Sequence, residues 1–262
     1  MEPIKVIVHG AAGKVGQEVV RAVYDEEDMQ LVGAVDAKAT KDSLPLPDSS
    51  GSVPFSADLG DILTRCQPNV MVDFSIAQAT MSAVRPAIEK GVSLVIGTTG
   101  FSPAEIKEIE RLATEHGIGA VMAPNFALGA VLMMHLAKIA AKYLDYAEII
   151  ELHHHLKADA PSGTAQTTAR LMAAARGKPF LQPKSKDAAS RGEQVEGVSI
   201  HSVRLPGLMA HQEVILGAPG QTLSIRHDTI NRECYMPGVM LAIREVVKRK
   251  GLVFGLDKLL GL

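Results

Sequence analysis

The stretch Ile4-Lys5-Val6-Ile7-Val8-His9-Gly10-Ala11-Ala12-Gly13-Lys14-Val15-Gly16 decides how this 262-residue chain is read. Ile4 to Val8 is a short β-branched run, and beyond the glycines Val15, Val19, Ala22 and Val23 fall on one helical stripe. A strand, a glycine turn and a helix therefore follow one another directly. In that context glycines let the backbone turn tightly and approach a pyrophosphate, while the free N–H groups of the helix start supply the positive end that receives it. The spacing is GxxGxxG, looser than GxGxxG, and a plain strand-to-helix turn uses the same residues. Asp36 lies 20 residues after Gly16, at the end of the next apolar run, where a carboxylate can accept hydrogen bonds from an adenosine ribose. An exposed strand-end acid is the plainer account of Asp36; the turn and the acid together favour nucleotide binding.

Outward from this turn the pattern repeats. Leu31–Val35, Val70–Phe74, Val92–Ile96 and Ile118–Met122 are apolar runs, with helix-like segments near 77–90 and 103–116 between them. Runs so continuous indicate strands covered on both faces, as in a parallel sheet wrapped by helices with right-handed crossovers. Residues Ala39–Ser56, rich in Pro, Ser, Asp and Gly, are expected as a surface excursion. Gly97-Thr98-Thr99-Gly100 and Ala123-Pro124-Asn125-Phe126 follow strand ends, where such a sheet presents its ligand, although turn chemistry alone also accounts for them. After a long apolar helix, Phe126–Ala141, the strands group together: Tyr146–Leu152, Val198–Leu205, Glu213–Leu216 and Thr222–His227, with a helix over Thr164–Arg176. The expected fold is thus α/β, a Rossmann-like doubly wound parallel sheet with a second, α+β domain. Lys178–Glu196 is expected to be a mobile, lid-like loop, and a further helix is expected over Pro237–Lys248.

Composition limits the function classes. With 47% hydrophobic and 21% charged residues the chain has the make-up of a soluble globular protein. A net charge of −2, from 27 basic and 29 acidic residues, disfavours a nucleic-acid partner. Cys66 and Cys234 are too few for a disulfide framework, and the first residues lack the basic and apolar regions of a signal peptide. The expected location is the cytoplasm, or an organelle stroma if a transit peptide has been removed. The Phe126–Ala141 run, broken by His135 and Lys138, falls short of the ~20 residues a membrane span needs, so no membrane partner is expected.

Three histidines stand together in Glu151-Leu152-His153-His154-His155-Leu156-Lys157-Ala158-Asp159-Ala160-Pro161-Ser162-Gly163-Thr164. If the stretch leaves a strand, His153 and His155 face one way and His154 the other, so they cannot all fill one core face. Lys157 is four positions after His153, and Pro161-Ser162-Gly163-Thr164 opens a helix whose free N–H groups and hydroxyls suit a carboxylate. An ordinary N-cap explains the turn by itself; beside imidazoles and an ammonium it fits a small anionic ligand. Imidazoles also bind zinc, but there is no HExxH pattern and Lys157 would repel a cation, so no metal site is expected.

These stretches, Gly10–Gly16, Gly97–Gly100, Ala123–Phe126 and above all His153–Thr164, together with Ile225-Arg226-His227-Asp228 and Tyr235-Met236-Pro237-Gly238-Val239, resemble the 4-hydroxy-tetrahydrodipicolinate (dihydrodipicolinate) reductase family almost end to end. The resemblance implies reduction of a cyclic dicarboxylate by NADH or NADPH in diaminopimelate and lysine synthesis, and a homotetramer assembled through the sheets of the second domain. It implies that His153 is the proton donor, Lys157 a second acid and substrate clamp, and His154, Ser162, Gly163 and Thr164 substrate contacts. Gly10, Ala11, Ala12, Gly13, Lys14, Val15, Gly16, Asp36, Gly97, Thr98, Thr99, Ala123, Pro124, Asn125 and Phe126 would line the cofactor. It further implies a dinucleotide-binding domain of residues 1–126 and 237–262 and a substrate-binding and tetramerisation domain of residues 127–236. The family commonly carries Glu then Arg after the second strand. Here Asp36 is followed by Ala37, so only Lys38 could meet a 2′-phosphate, and the choice between NADH and NADPH stays open.

In the chemistry so implied, hydride reaches the ring carbon of a conjugated imine and leaves an enamine that needs a proton, which histidine can deliver near neutral pH. Domain closure is expected to exclude water. Two other classes share parts of the pattern: another nicotinamide-dependent dehydrogenase of the aspartate pathway, and a non-enzymatic NAD(P)H-sensing protein. Neither needs the whole of Glu151–Thr164.

Overall fold

The computed structural model describes residues 2–183 and 189–262. Two compact units emerge, Met1–Ala127 with Tyr235–Leu262, and Leu128–Cys234. Along the chain the first unit runs β1 (Ile4–His9), α1 (Lys14–Asp25), β2 (Met29–Val35), β3 (Ser43–Pro45), β4 (Ser52–Ser56), α2 (Leu59–Cys66) and β5 (Val70–Asp73). It continues through α3 (Ala77–Glu89), β6 (Ser93–Ile96), α4 (Pro103–Glu115) and β7 (Gly119–Met122). The second unit comprises α5 (Leu128–Ala140), β8 (Tyr146–His153), α6 (Gly163–Arg176), β9 (Glu193–Val195), β10 (Val198–Arg204), β11 (Ala210–Ala218) and β12 (Gln221–Thr229). The chain then returns to the first unit as α7 (Met236–Val246), β13 (Gly251–Phe254) and α8 (Leu256–Leu260).

The first unit is a Rossmann-like sheet in the order β13-β7-β6-β5-β1-β2-β4-β3, parallel throughout except for the antiparallel β3–β4 pair. Every residue of β5, β6 and β7 is buried, which is why these strands appear in the sequence as nearly continuous apolar runs instead of alternating ones. Ile7, Met71, Leu94 and Ile96 meet Val84, Ile88 and Ile109 of the covering helices in one core. Helix starts are specified locally. Asp58 caps α2, and α4 opens with Pro103 behind a capping box in which Ser102 and Glu105 satisfy each other's backbone N–H.

The excursion expected over Ala39–Ser56 is instead partly β-structure. Ala34 and Val35 of β2 pair with Phe55 and Ser56, and β3 folds back on β4, adding two strands to that edge. Pro45 lies in the edge strand β3, and Pro54 lies in β4 just before the two residues that pair with β2; so short and polar a pairing removes the apolar signal by which a strand is recognised. β13 extends the other edge beside β7.

The second unit is a mixed sheet in the order β12-β11-β8-β10-β9, with β8 parallel to β10 and antiparallel to β11. Met133 and Ala137 of α5 and Ala165, Ala169 and Met172 of α6 pack on Ile149, Ile200 and Val214. β8 alternates accordingly, with Ala147, Ile149 and Glu151 buried and the residues between them only partly covered or exposed. The helix expected from Phe126 begins at Leu128, and α6 starts at Gly163 behind the Ser162 cap. Within Lys178–Glu196, residues 184–188 lie outside the described residues. The remainder includes a 3-10 turn over Ala189–Arg191 and β9, so that stretch is not a single irregular loop. No helix among the described residues is long and apolar enough to cross a membrane.

Candidate active site

In the first unit, the turns that follow β1, β2, β5, β6 and β7 are tied to one another. Gly10 and Ala11 donate their N–H groups to the Val35 carbonyl at 2.8 and 3.2 Å, and Gly10 has a φ of +82°, which disfavours a side chain. A Cβ on Gly10 would lie 2.7 Å from the Phe74 carbonyl oxygen, and one on Gly16 would collide with the Gly10 carbonyl. These two glycines therefore allow the first turn of α1 to close onto the strand end. Gly13 is the N-cap of α1 and makes no side-chain cap, so the first N–H groups of the helix are not occupied by a capping side chain. Asp36 reaches this turn directly: Oδ2 accepts from Ala12 N at 2.9 Å and Oδ1 from Lys38 N at 2.9 Å. Gly97 has no room for a side chain beside the Phe74 ring, and that ring packs on Phe126 with centroids 5.8 Å apart. Asn125 accepts from Ala127 N, holding the turn after β7.

Beneath these turns lies a group that the sequence reading did not single out. Asp73, the last residue of β5, is 0% exposed. Its Oδ1 accepts from Thr98 Oγ1 at 2.6 Å, from Thr80 Oγ1 and Ser75 Oγ at 2.9 Å each, and from Ser75 N at 3.0 Å. Its Oδ2 lies 2.5 Å from Nδ1 of His9, the last residue of β1. Burial pushes the Asp73 carboxyl up, but the donors from His9, Thr98 and Ser75 outweigh it and hold the group below the usual carboxylate range. The available signal was a lone acid closing an otherwise apolar strand.

In the second unit the histidine stretch is divided by the end of β8. The strand stops at His153; His154 and His155 are exposed in the turn that follows, so alternation of faces applies only as far as His153. His153 shares its face with Glu151, and its Nδ1 lies 2.5 Å from Glu151 Oε2. Glu151 is 0% exposed and is gripped by both terminal nitrogens of Arg204, at 2.8 Å to Oε2 and 2.7 Å to Oε1. Burial raises the Glu151 carboxyl, yet the donors from His153, Arg204 and Ser202 pull it down to about 2.

The Pro161–Thr164 turn is joined to this group, because Ser162 donates its N–H to Glu151 Oε1 at 3.1 Å while its hydroxyl caps α6 by accepting from Ala165 N at 3.2 Å. A Cβ on Gly163 would meet nothing within 4 Å, so the helix start is open on that side. Between the strand end and this turn, Lys157 rests its Nζ on both carboxylate oxygens of Asp159 at 2.7 and 2.8 Å. Arg204 completes the cluster by donating to the Asp159 carbonyl at 2.7 Å. Two residues to which the sequence reading gave no role thus belong here, Glu151, which opens the histidine stretch, and Arg204. Among the described residues no set of three His, Cys, Asp or Glu side chains is arranged to hold a metal ion.

The chain matches two family models, Dihydrodipicolinate reductase, N-terminus, over residues 4–126 and Dihydrodipicolinate reductase, C-terminus, over residues 129–260. It is 59% identical over 263 residues to the 4-hydroxy-tetrahydrodipicolinate reductase of Dehalococcoides mccartyi, covering 100% of both chains. The enzyme of the same name from Moorella thermoacetica is 48% identical, with 98% of each chain covered. Among solved structures, the dipicolinate-bound dihydrodipicolinate reductase of Paenisporosarcina sp. TG-14 is similar at 40% identity and a TM-score of 0.86, over 98% of this chain and 99% of that one.

Proposed function

The chain belongs to the dihydrodipicolinate reductase family, nicotinamide-dependent oxidoreductases of lysine and diaminopimelate biosynthesis, and we propose the roles its residues take in reducing 4-hydroxy-tetrahydrodipicolinate to tetrahydrodipicolinate. The observation that carries the assignment of roles is the cluster His153, Glu151, Arg204 and Ser162, linked through Asp159 to Lys157, in which hydrogen bonds join an imidazole, an open helix start and an ammonium.

Groups that fit a dinucleotide belong to the first unit. Gly10, Gly16 and Gly97 leave close approaches that a side chain would fill, and the uncapped start of α1 suits a pyrophosphate. Ala11, Ala12, Lys14, Val15, Thr98, Thr99 and Ala123–Phe126 line the same turns. The nicotinamide, when bound, supplies hydride to the substrate ring. Asp36 would accept from ribose hydroxyls and repel a 2′-phosphate, and Ala37 offers no guanidinium to offset that, so NADH is the preferred cofactor and Lys38 gives NADPH only weak support.

In the second unit the open helix start at Gly163 and Thr164, with Lys157 and His154, holds the substrate carboxylates, and dipicolinate is expected at the same place. The 4-hydroxyl leaves as water to give the conjugated imine; the enamine left after hydride addition then uses its π pair to form a C–H bond with the proton of His153 as the imidazolium N–H bond breaks, so that the substrate C=N bond re-forms and the imidazole becomes neutral. The half-covered Ile150, Leu152 and Ile215 on the face of the second sheet away from α5 and α6 suit assembly of a homotetramer through that sheet. Cys66 and Cys234, both free thiols, suit a reducing cytoplasm.

The test couples the protein to the upstream synthase with pyruvate and aspartate semialdehyde and follows the absorbance of the reduced cofactor. Turnover with NADH, at a higher kcat/KM than with NADPH, is expected. Absence of oxidation with either cofactor overturns the assignment.

A further inference from the structure

We propose that Glu151 is the positioning residue of the proton donor, holding His153 by Nδ1 so that Nε2 is the atom that gives up the proton, with Arg204 balancing the charge of Glu151 throughout. This rests on the reading of His153 as the donor. Glu151 precedes His153 by two residues on the same face of β8, the central strand of its sheet, so the backbone itself brings the two side chains together. A carboxylate can only accept, and an Nδ1 only 2.5 Å from it is committed as a donor. The labile proton is thereby assigned to the other ring nitrogen.

Arg204 gives the arrangement its second property. The β8–β10 register aligns Arg204 with His153 and Ser202 with Glu151, which directs the guanidinium fork onto both Glu151 oxygens. The Glu151–Arg204 pair sums to zero charge whether His153 is protonated or neutral. As the Nε2–H bond breaks and the substrate C–H bond forms, no buried carboxylate is left without a cation. The third ligand of Glu151, the N–H of Ser162, fixes the substrate turn to the same side chain, so the donor and the carboxylate-binding helix start share one anchor. A glutamate that served only to neutralise Arg204 would have no need of contacts to both the donor ring and the turn.

The experiment compares the full-length wild type with Glu151→Gln, His153→Gln and the double variant, measuring kcat, the Kd of NADH and the Kd of dipicolinate. Glu151→Gln is expected to lower kcat at least about tenfold while both Kd values stay within about threefold, and the double variant is expected to be no slower than His153→Gln within about twofold. A kcat within about threefold of wild type, or a double variant as slow as the product of the two single effects, overturns the proposal. Because the Gln variant leaves Arg204 without its anion, nitrogen-15 NMR of the wild-type His153 ring provides a readout that needs no substitution. A proton on Nδ1 at neutral pH is expected; a ring carrying its only proton on Nε2 overturns the inference. A His153→Gln variant with unchanged kcat would instead refute the reading of His153 and leave the Nδ1 result standing separately.

Discussion

The two units each bury a carboxylate against the Nδ1 of a histidine, at the same 2.5 Å, and differ in what else the carboxylate touches. Asp73 is surrounded by the hydroxyls of Ser75, Thr80 and Thr98, and His9 is the one titratable side chain bonded to it among the described residues. Glu151 has a permanent cation, Arg204, on both oxygens. A buried charge deprived of its partner is costly, so a histidine that is the sole titratable partner of a carboxylate is held to that task. A carboxylate already paired with an arginine does not depend on its histidine for charge balance. The first pair ties together the turns after β1, β5 and β6, and the second is the one that fits the proposed proton transfer.

The same substitution at both histidines separates these roles most widely. Glutamine can still donate to the carboxylate but cannot deliver a proton. His153→Gln is expected to lower kcat by about 10²–10⁴-fold with the Kd of NADH nearly unchanged. His9→Gln is expected to leave kcat at saturating NADH within about threefold and to lower stability by about 1 kcal/mol, read from denaturant midpoints. Similar kcat losses at both sites would erase the distinction.

A smaller effect follows from acid. The Glu151 carboxyl is held at about 2 in the folded chain against an ordinary value of 4.5. A depressed folded value means that the stabilisation is complete above pH 4.5 and is lost as the pH falls from there toward 2, a contribution of about 3 kcal/mol at neutral pH. Asp73 shifts in the same direction, so both pairs weaken in acid. Thermal unfolding followed from pH 6 downward should show the melting temperature of the wild type falling most steeply below pH 4.5. Glu151→Gln should flatten that fall without removing it, because Asp73 remains. A melting temperature indifferent to pH in this window would contradict the charge assignment of both carboxylates.

The comparison also explains what was visible in the sequence. Strands buried on both faces, such as Val92–Ile96, appear as apolar runs, and Gly10 and Gly16, which have no room for a Cβ, appear within a spaced glycine trio, because each effect is local. His153, Lys157 and Pro161–Thr164 were legible for the same reason, being crowded into a dozen residues. The rest depends on pairing at a distance. Arg204 is 53 residues from Glu151 and meets it only through the parallel β8–β10 register; His9 and Asp73 are 64 apart and meet because β1 and β5 are neighbours in the sheet. Ser43–Pro45 and Gly251–Phe254 are the edge strands, and Ser52–Ser56 pairs with β2 over only two residues, so little burial there means little hydrophobic signal.

The smallest expected effect tests the exposed end of the second cluster. Lys157 Nζ rests on both oxygens of Asp159, whose side chain is 60% exposed against 22% for the lysine. An ion pair so open to water adds little to stability, so Asp159→Asn should change the melting temperature hardly at all. It should nevertheless alter binding if Lys157 takes a substrate carboxylate as proposed, because the Asp159 carboxylate occupies that ammonium and the incoming anion must displace it or share it. Removing that competitor should tighten dipicolinate about two- to fivefold, and the gain should shrink as salt is added, since charges this exposed are screened over about 10 Å at 0.1 M. If Asp159→Asn weakens dipicolinate instead, Asp159 serves to aim Lys157 and not to compete for it. The exposed Lys157–Asp159 pair would then belong with the buried Glu151–His153 pair as a device for orientation, and the contrast between the units would lie in charge balance alone.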